Sequence, residues 1–423
     1  IFRIWTGKSG STIEARFVDM QDTRVTIETT NGVRKVVDVS LFSKKDQEYL
    51  TFEAPLPPLS RLRGEWRGTA SIHDRIYHTD LTFKKQGAKL MAQGWISQSL
   101  SVKQIADAKV KKLKKDSAQP TGRLIEQTFD VIAEGDSITL KGAQVKSAFE
   151  GVYNSDKWSP DLFVGKIIQP GYLVGAWKSS LAPNSTNVPH DGIFYYFSED
   201  AFARPPVLAL EKGKTHELTC LDGAPYHYCC YIPSNYDPAV PAPVVINKNP
   251  TGNGRPLSTK IADEFGWIMV GLKESSNTSI ESTANCVAAL FDLRRRLNIN
   301  MRRVYFSGFS GRARQSSREA IGYPDECAGI FCIGAGFSQH GSGPLQGQYY
   351  IPPLNIPICF LVGKTDMNNE EVVKNVFPAE QKRKRACKLL VHSGGHAWGP
   401  PEDHETGLRW LNEQWKEEAS RAK

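Results

Sequence analysis

A chain of 423 residues is longer than one average domain, and an apolar fraction of 40% supports real cores, which excludes a disordered chain. The formal charge of +8 is spread along the chain, without a recognised nucleic-acid motif or an aromatic-basic stripe, so no nucleic-acid partner is expected. No apolar run reaches the length of a transmembrane helix.

Residues 1–54 read as a small all-β module. Ser11 to Val18 alternates, with Ile13, Ala15 and Phe17 on one face, and Arg24 to Thr29 alternates through Val25 and Ile27. Asn31-Gly32 predicts a two-residue hairpin turn before the return strand Val33 to Val39. Ser43 is placed to cap one short helical turn through Leu50. The pattern Arg3-Ile-Trp-Thr-x-Lys-Ser-Gly, then Ile13-Glu-Ala-x-Phe-Val, then Leu41-x-Ser-Lys-x-Asp-Gln-Glu-Tyr resembles the SLA homology domain. That resemblance implies an SH3-like β-barrel of a kind that binds a short peptide. A peptide, a glycan, self-association or a spacer that binds nothing all remain open for this module.

Pro55-Leu-Pro-Pro58 predicts a semi-rigid linker. Residues 59–203 form a second, antiparallel β-rich domain. Gly64-Glu-Trp66, Leu81 to Phe83, Lys89 to Trp95, Phe129 to Ile132, Ser137 to Leu140 and Gly192 to Phe197 are short, alternating or aromatic, and separated by glycine turns. Many short strands at such spacing predict a sandwich or a barrel. Gly-x-Trp recurs at Trp66 and Trp177, with Gly94-Trp95 as a variant, and faintly resembles a lipocalin-like barrel. Ser101 to Lys115 has an apolar stripe and a lysine face, and reads as a solvated helix face before it reads as a membrane or acidic-polymer contact.

Residues 204–423 change grammar to alternating strand and helix, which predicts a mostly parallel sheet with helices on both faces. Glu217 to Leu221 and His227 to Ile232 flank Asp222-Gly223, a hairpin signal. Strands follow at Pro243 to Asn247, Trp267 to Gly271, Arg303 to Ser307, Ile330 to Ile333, Ile358 to Val362 and Lys388 to Val391. Ser282 caps a long helix whose stripe is Cys286, Leu290, Leu293 and Leu297. Eight cysteines are too few for a disulfide scaffold in this length, and none falls in Cys-x-x-Cys spacing. Cys332 and Cys359 read as buried strand residues. Cys220, Cys229 and Cys230 could pair in an oxidising compartment, although adjacent Cys229 and Cys230 face opposite ways on a strand.

Everything converges on Arg303-Val-Tyr-Phe-Ser-Gly308-Phe-Ser310-Gly311-Arg312. An apolar strand, a Gly-Phe-Ser-Gly turn and a helical run are the context of a nucleophile elbow, in which a sharp turn lifts a serine hydroxyl clear of the backbone. A serine hydroxyl needs a neutral imidazole to take its proton and a carboxylate to fix that imidazole. Asp366 follows the strand Ile358 to Val362, and His396 follows the next strand beyond Gly394-Gly395. The order Ser310, Asp366, His396 is that of the α/β-hydrolases. His392 competes for the base role, but it belongs to the strand end, whereas the two glycines let His396 reach back over the sheet.

Tyr231-Ile-Pro-x-Asn-Tyr-Asp-Pro, Gly308-Phe-Ser-Gly-x-Ala-Arg, Thr365-Asp366 and Gly394-Gly-His396-Ala-Trp398 are similar to polyhydroxyalkanoate depolymerase and feruloyl-esterase relatives. The resemblance covers roughly residues 215–415. It implies a bacterial serine carboxylester hydrolase without metal or cofactor, secreted or held in the periplasm or envelope, acting on an ester substrate that a polymer could supply. The first residue is Ile1 and no signal-peptide pattern is visible, so the chain is expected to be a processed mature form or a fragment.

Two departures stand out. Arg312 occupies the last glycine of G-x-S-x-G, so its side chain must be squeezed aside or exposed; its expected exit is the site mouth, toward Asp366, another acid or an anionic substrate. With Trp398 it is a substrate-pocket candidate. The oxyanion hole needs two N–H donors; Gly311 supplies one, but the loop expected to supply the other carries Lys248-Asn249-Pro250, and proline has none. That leaves Asn249, Thr251 or a side-chain amide. The sequence therefore supports two functions: an active ester hydrolase with β-rich accessory domains, or a catalytically impaired hydrolase-fold protein with a binding or structural role.

Overall fold

The structure, a computed structural model, describes residues 2–21, 23–52, 61–72, 75–86, 89–99, 121–134, 137–147, 160–179, 190–199, 201, 210–220, 226–279, 282–339, 347 and 349–421. The Pro55 to Pro58 linker, the Ser101 to Lys115 stretch and Asp222-Gly223 lie outside the described residues.

Four antiparallel strands open the chain: β1 (Phe2–Thr6), β2 (Thr12–Gln21), β3 (Arg24–Thr29) and β4 (Arg34–Asp38), in that spatial order. A bridge between Gly7 and Phe42 returns the chain to the β1 side. The predicted barrel is thus a four-stranded sheet with one returning bridge, cored by Trp5, Ala15, Val25, Ile27, Phe42 and Leu50. Two local expectations are corrected. Thr29 N–H donates to the Val33 carbonyl, so Thr30, Asn31 and Gly32 make a three-residue turn with Gly32 at φ 80°, a conformation that favours glycine. The helix after Ser43 is α1 (Lys44–Phe52), nine residues rather than one turn. Its start is fixed by Ser43 Oγ donating to Asp46, which also accepts the Thr6 N–H and pairs with Arg3.

The second unit is a closed barrel of eight antiparallel strands: β5 (Gly64–Ile72), β6 (Arg75–Gln86), β7 (Lys89–Ser99), β8 (Thr121–Glu134), β9 (Ser137–Ser147), β10 (Leu162–Gln169), β11 (Tyr172–Ser179) and β12 (His190–Ser198). Each strand pairs with its sequence neighbour, and β12 closes on β5. The interior is packed with Trp66, Tyr77, Phe129, Phe163, Trp177, Phe194 and Tyr196. Phe163 stacks on Trp177 at 5.7 Å. The rings fit because glycines face them: a Cβ on Gly165 would lie 2.7 Å from the Phe194 ring.

The third unit is an eight-stranded sheet: β13 (Lys214–Thr219), β14 (His227–Ile232), β15 (Ala242–Lys248), β16 (Ile268–Leu272), β17 (Ile299–Phe309), β18 (Cys327–Ile333), β19 (Ile358–Gly363) and β20 (Cys387–His392). The order is β13-β14-β16-β15-β17-β18-β19-β20. β13, β14 and β16 pair antiparallel, and every later pair is parallel. Every residue of β15, β16, β18 and β19 is buried, as expected of parallel strands covered on both faces. The helices are α2 (Thr259–Phe265), α3 (Ser282–Arg296), α4 (Gly311–Gly322), α5 (Phe377–Lys382) and α6 (Pro401–Arg421).

The barrel packs on α3 and α4. Phe291 of α3 meets Tyr195 and Phe197 at 4.7 and 4.6 Å between ring centroids. His78 Nε2–H donates to the Gly322 carbonyl at the end of α4, 2.6 Å away. No disulfide joins Cys220, Cys229 or Cys230 in this structure; Cys229 Sγ lies 3.2 Å from the Gly254 carbonyl while Cys230 enters the core on the other face.

Candidate active site

Parallel register brings the carboxyl ends of the strands to one edge. Lys248 of β15 sits beside Gly308 of β17, Phe309 beside Ile333 of β18, and Gly363 of β19 beside His392 of β20. The turn after β17 is the sharpest feature there. Ser310 has φ 55° and ψ −124°, and its N–H donates to the Ile333 carbonyl at 2.8 Å. Such a backbone state costs about 1–3 kcal/mol for a non-glycine residue and persists only where its surroundings hold it. Gly308 is required because a Cβ there would lie 2.6 Å from the Arg312 carbonyl oxygen as α4 folds back.

Ser310, His396 and Asp366 come together. The Ser310 Oγ to His396 Nε2 distance is 2.9 Å. His396 Nδ1 lies 3.0 and 2.9 Å from the two carboxylate oxygens of Asp366. A proton on Nδ1 therefore donates to the carboxylate and leaves Nε2 free to accept from the serine. Asp366 is buried and also accepts the Asn368 N–H at 2.8 Å. Asn368 in turn donates to the Gly334 carbonyl and accepts from Arg314, which pairs with Glu371. The Asp366 loop is thus braced from α4, the helix that carries the serine. The His396 ring rests on Phe309 at 4.7 Å, and Trp398 stacks on Phe309 at 5.0 Å. His392 does not take the base position: its Nδ1 accepts the Gly394 N–H, and the ring lines a cleft with Trp398, Pro400 and Asp403. Trp398 therefore walls a cleft whose lining does not include Ser310.

Arg312 departs from its expected course. It is buried, donates to the Ser276 carbonyl, and does not approach Asp366. Glu319, two turns along α4, supplies the opposite charge, and Lys248 pairs with the same carboxylate; Lys248 and Glu319 are both fully buried. Burial lowers the Arg312 pKa and raises that of Glu319, in each case opposed by the neighbouring opposite charges. The guanidinium is held inside by the Ser276 carbonyl, with the Glu319 charge farther along the same helix. The Lys248–Glu319 pair was not legible beforehand, since Lys248 ends β15 and Glu319 lies on α4, far along the chain.

Of the expected oxyanion donors, Asn249 and Thr251 are engaged. Gly311 opens α4, where first-turn N–H groups lack intrahelical partners. The Asn249 N–H, however, points to Ser275 Oγ at 3.4 Å, and the Thr251 N–H donates to Asn249 Oδ1 at 3.1 Å. The first is turned to the loop after β16 and the second is used inside its own turn. The residue that does lie against the elbow is Asn277. A Cβ on Gly311 would lie 2.5 Å from Asn277 Oδ1 and 3.1 Å from Nδ2. Sequence offered only the polar run Ser275-Ser-Asn-Thr-Ser279 after β16, and a glycine displaced by one position in the elbow.

Among the described residues no group of three His, Cys, Asp or Glu side chains could hold a metal ion, and no helix is long and apolar enough to cross a membrane. Residues 1–54 match the family model of SLA1 homology domain 1, SHD1. No curated protein matches the chain. Among solved structures, the chain is similar to the S-formylglutathione hydrolase of Staphylococcus aureus (9% identity, TM-score 0.38, over 49% of this chain and 99% of that one). It is also similar to the feruloyl esterase module of Clostridium thermocellum complexed with sinapinate (12%, 0.36, over 52% and 92%). A third likeness is to the fluorophosphonate-binding serine hydrolase F of Staphylococcus aureus (10%, 0.36, over 48% and 99%).

Proposed function

We propose that the chain is a serine-dependent carboxylic ester hydrolase of the α/β-hydrolase kind, with Ser310 as nucleophile, His396 as base and Asp366 as the residue that orients it. The observation that carries this reading is the relay of 2.9 Å from Ser310 Oγ to His396 Nε2 and 2.9 Å from Nδ1 to Asp366, built on a serine held at φ 55°. In the first half-reaction Oγ bonds to the acyl carbon while Nε2 takes its proton. Collapse of the tetrahedral intermediate breaks the ester C–O bond, and His396 returns the proton to the departing alcohol. Water then attacks the acyl-serine by the same relay, releasing the acid and restoring Ser310. The motifs around Ser310, Asp366 and His396 favour esters as the substrate class.

One observation favours the second reading, a binding or structural protein on a hydrolase scaffold: both backbone donors expected after β15 are engaged elsewhere. Losing one such donor costs about 10²–10³-fold in rate. A fluorophosphonate probe separates the two readings. The hydrolase reading expects covalent labelling mapped by mass spectrometry to Ser310, and loss of label and of short-chain aryl ester turnover in a folded Ser310→Ala variant. A folded wild-type protein that takes no label and turns over no ester would leave the scaffold reading standing.

A further inference from the structure

We infer that the side-chain amide of Asn277 is the second donor of the oxyanion hole and that Arg312 is the residue that positions it. This rests on the hydrolase reading and explains how the site would work despite Pro250 and Arg312. When Ser310 attacks, the substrate carbonyl oxygen becomes an alkoxide that two N–H groups must meet. Gly311 contributes one. The residues of the turn after β15 that face this role are engaged: Asn249 and Thr251 as described, the Gly252 N–H donating to the Asn249 carbonyl at 2.9 Å, and Pro250 without an N–H.

Asn277 fills the vacancy from the neighbouring loop, after β16. Its amide carbon would lie 3.0 Å from a Cβ on Gly311, so any side chain at 311 would displace it. The amide makes no hydrogen bond to any described residue, and the residue is exposed. Half a turn about its terminal torsion, which is broad and two-fold, exchanges oxygen for NH₂ and aims the donor at an anion. The backbone beneath is fixed at two points. The Asn277 N–H donates to the Pro250 carbonyl at 2.9 Å, and the Ser276 carbonyl accepts from Arg312. A proline that cannot donate thus accepts, and the arginine in the last elbow position holds the residue next to the donor. The glycine missing at 312 and the glycine present at 311 become one adaptation, since the space that a backbone donor would need goes to an amide side chain.

The test compares wild type with Asn277→Ala, Asn277→Asp, Arg312→Met, Arg312→Lys and the Asn277→Ala/Arg312→Met double variant. Turnover of a short-chain aryl ester and inhibition by an alkyl trifluoromethyl ketone are measured together. The ketone adds Ser310 Oγ and so creates the charged tetrahedral oxygen. Asn277→Ala should lower kcat about 10²–10³-fold, change KM by less than about threefold, and weaken the ketone by a factor like that in kcat. Asn277→Asp should fall at least as far, because a carboxylate has no proton to give and repels the oxyanion. Arg312→Met should lower kcat with KM held, Arg312→Lys should recover part of it, and the double variant should lie within about threefold of Asn277→Ala, since both remove one function. If Asn277→Ala keeps kcat and ketone affinity within threefold of an active wild type, the donor assignment is wrong and the hydrolase reading survives. If kcat, KM and melting temperature all move together in Asn277→Ala, the residue is structural and the assignment is equally wrong. If Arg312→Met and Arg312→Lys both match wild type while Asn277→Ala falls, the positioning half is wrong alone. A wild type that neither labels at Ser310 nor hydrolyses ester overturns the hydrolase reading and this inference with it.

Discussion

On the β19 and β20 side of Ser310, the candidate chemistry is carried by side chains whose identity announces them: a carboxylate, an imidazole and the glycines that let the imidazole loop cross the sheet edge. On the β15 and β16 side it is carried by where backbone N–H groups point, by one amide and by a guanidinium that never reaches the substrate. The first side tolerates little change of residue type, because each group must accept, donate or hold charge. The second can be rebuilt from other residues, because any N–H at the right place serves. A site can therefore keep its acid–base relay letter for letter while its anion-stabilising half is replaced wholesale.

The largest test of that contrast is Asp366→Asn. The amide can still meet His396 Nδ1, but it favours the wrong imidazole tautomer, and aryl ester turnover should fall about 10⁴-fold with the melting temperature kept, as followed by circular dichroism. Turnover within tenfold of wild type would mean that the two halves are equally replaceable. Next comes the charge cluster under the second half. Lys248→Met strips Glu319 of its closest cation in a fully buried place, and should cost about 3 kcal/mol in a urea unfolding series, the lower end for a broken buried pair because Arg312 remains nearby. A loss below 1 kcal/mol would show that Arg312 alone suffices for that carboxylate. The smallest effect is expected from Asn249→Ala, which frees the Thr251 N–H. Because that group already sits inside its turn, kcat should change less than about threefold; a tenfold change would return the second donor to the β15 loop.

What could be read from residues follows the same line. The buried apolar runs of β15 to β19, the long helix behind Cys286 and Leu290, and the positions of Ser310, Asp366 and His396 were all visible, since each depends on local composition or on the order of chemically distinctive residues. The barrel was visible only as an alternative to a sandwich, because closure of β12 on β5 is a non-local fact that no single strand encodes. Arg312 was misdirected for a related reason. A lone arginine reads as seeking solvent or an active-site acid; Glu319 two turns along the same helix was in view, but only the fold brings the Ser276 carbonyl to the guanidinium and Lys248 to that carboxylate. Asn277 was hidden in a serine- and threonine-rich turn, where nothing distinguishes a working amide from a capping one. The hairpin at Asn31-Gly32 shows the limit at its smallest scale, for a turn signal fixed the glycine's conformation but left the loop one residue short.

The seating of the barrel on α3 and α4 bears on how such a chain can be inherited. Tyr195 and Phe197 leave the barrel wall to cover Phe291, and His78 holds the far end of the helix that begins at Ser310. Excising residues 59–203 would bare an aromatic patch on the remaining sheet and loosen the end of that helix. The barrel is thus no detachable cartridge. A lineage that exchanged it for another module would have to rewrite the outer face of α3 in the same step, so barrel and sheet are expected to travel through evolution as one gene segment.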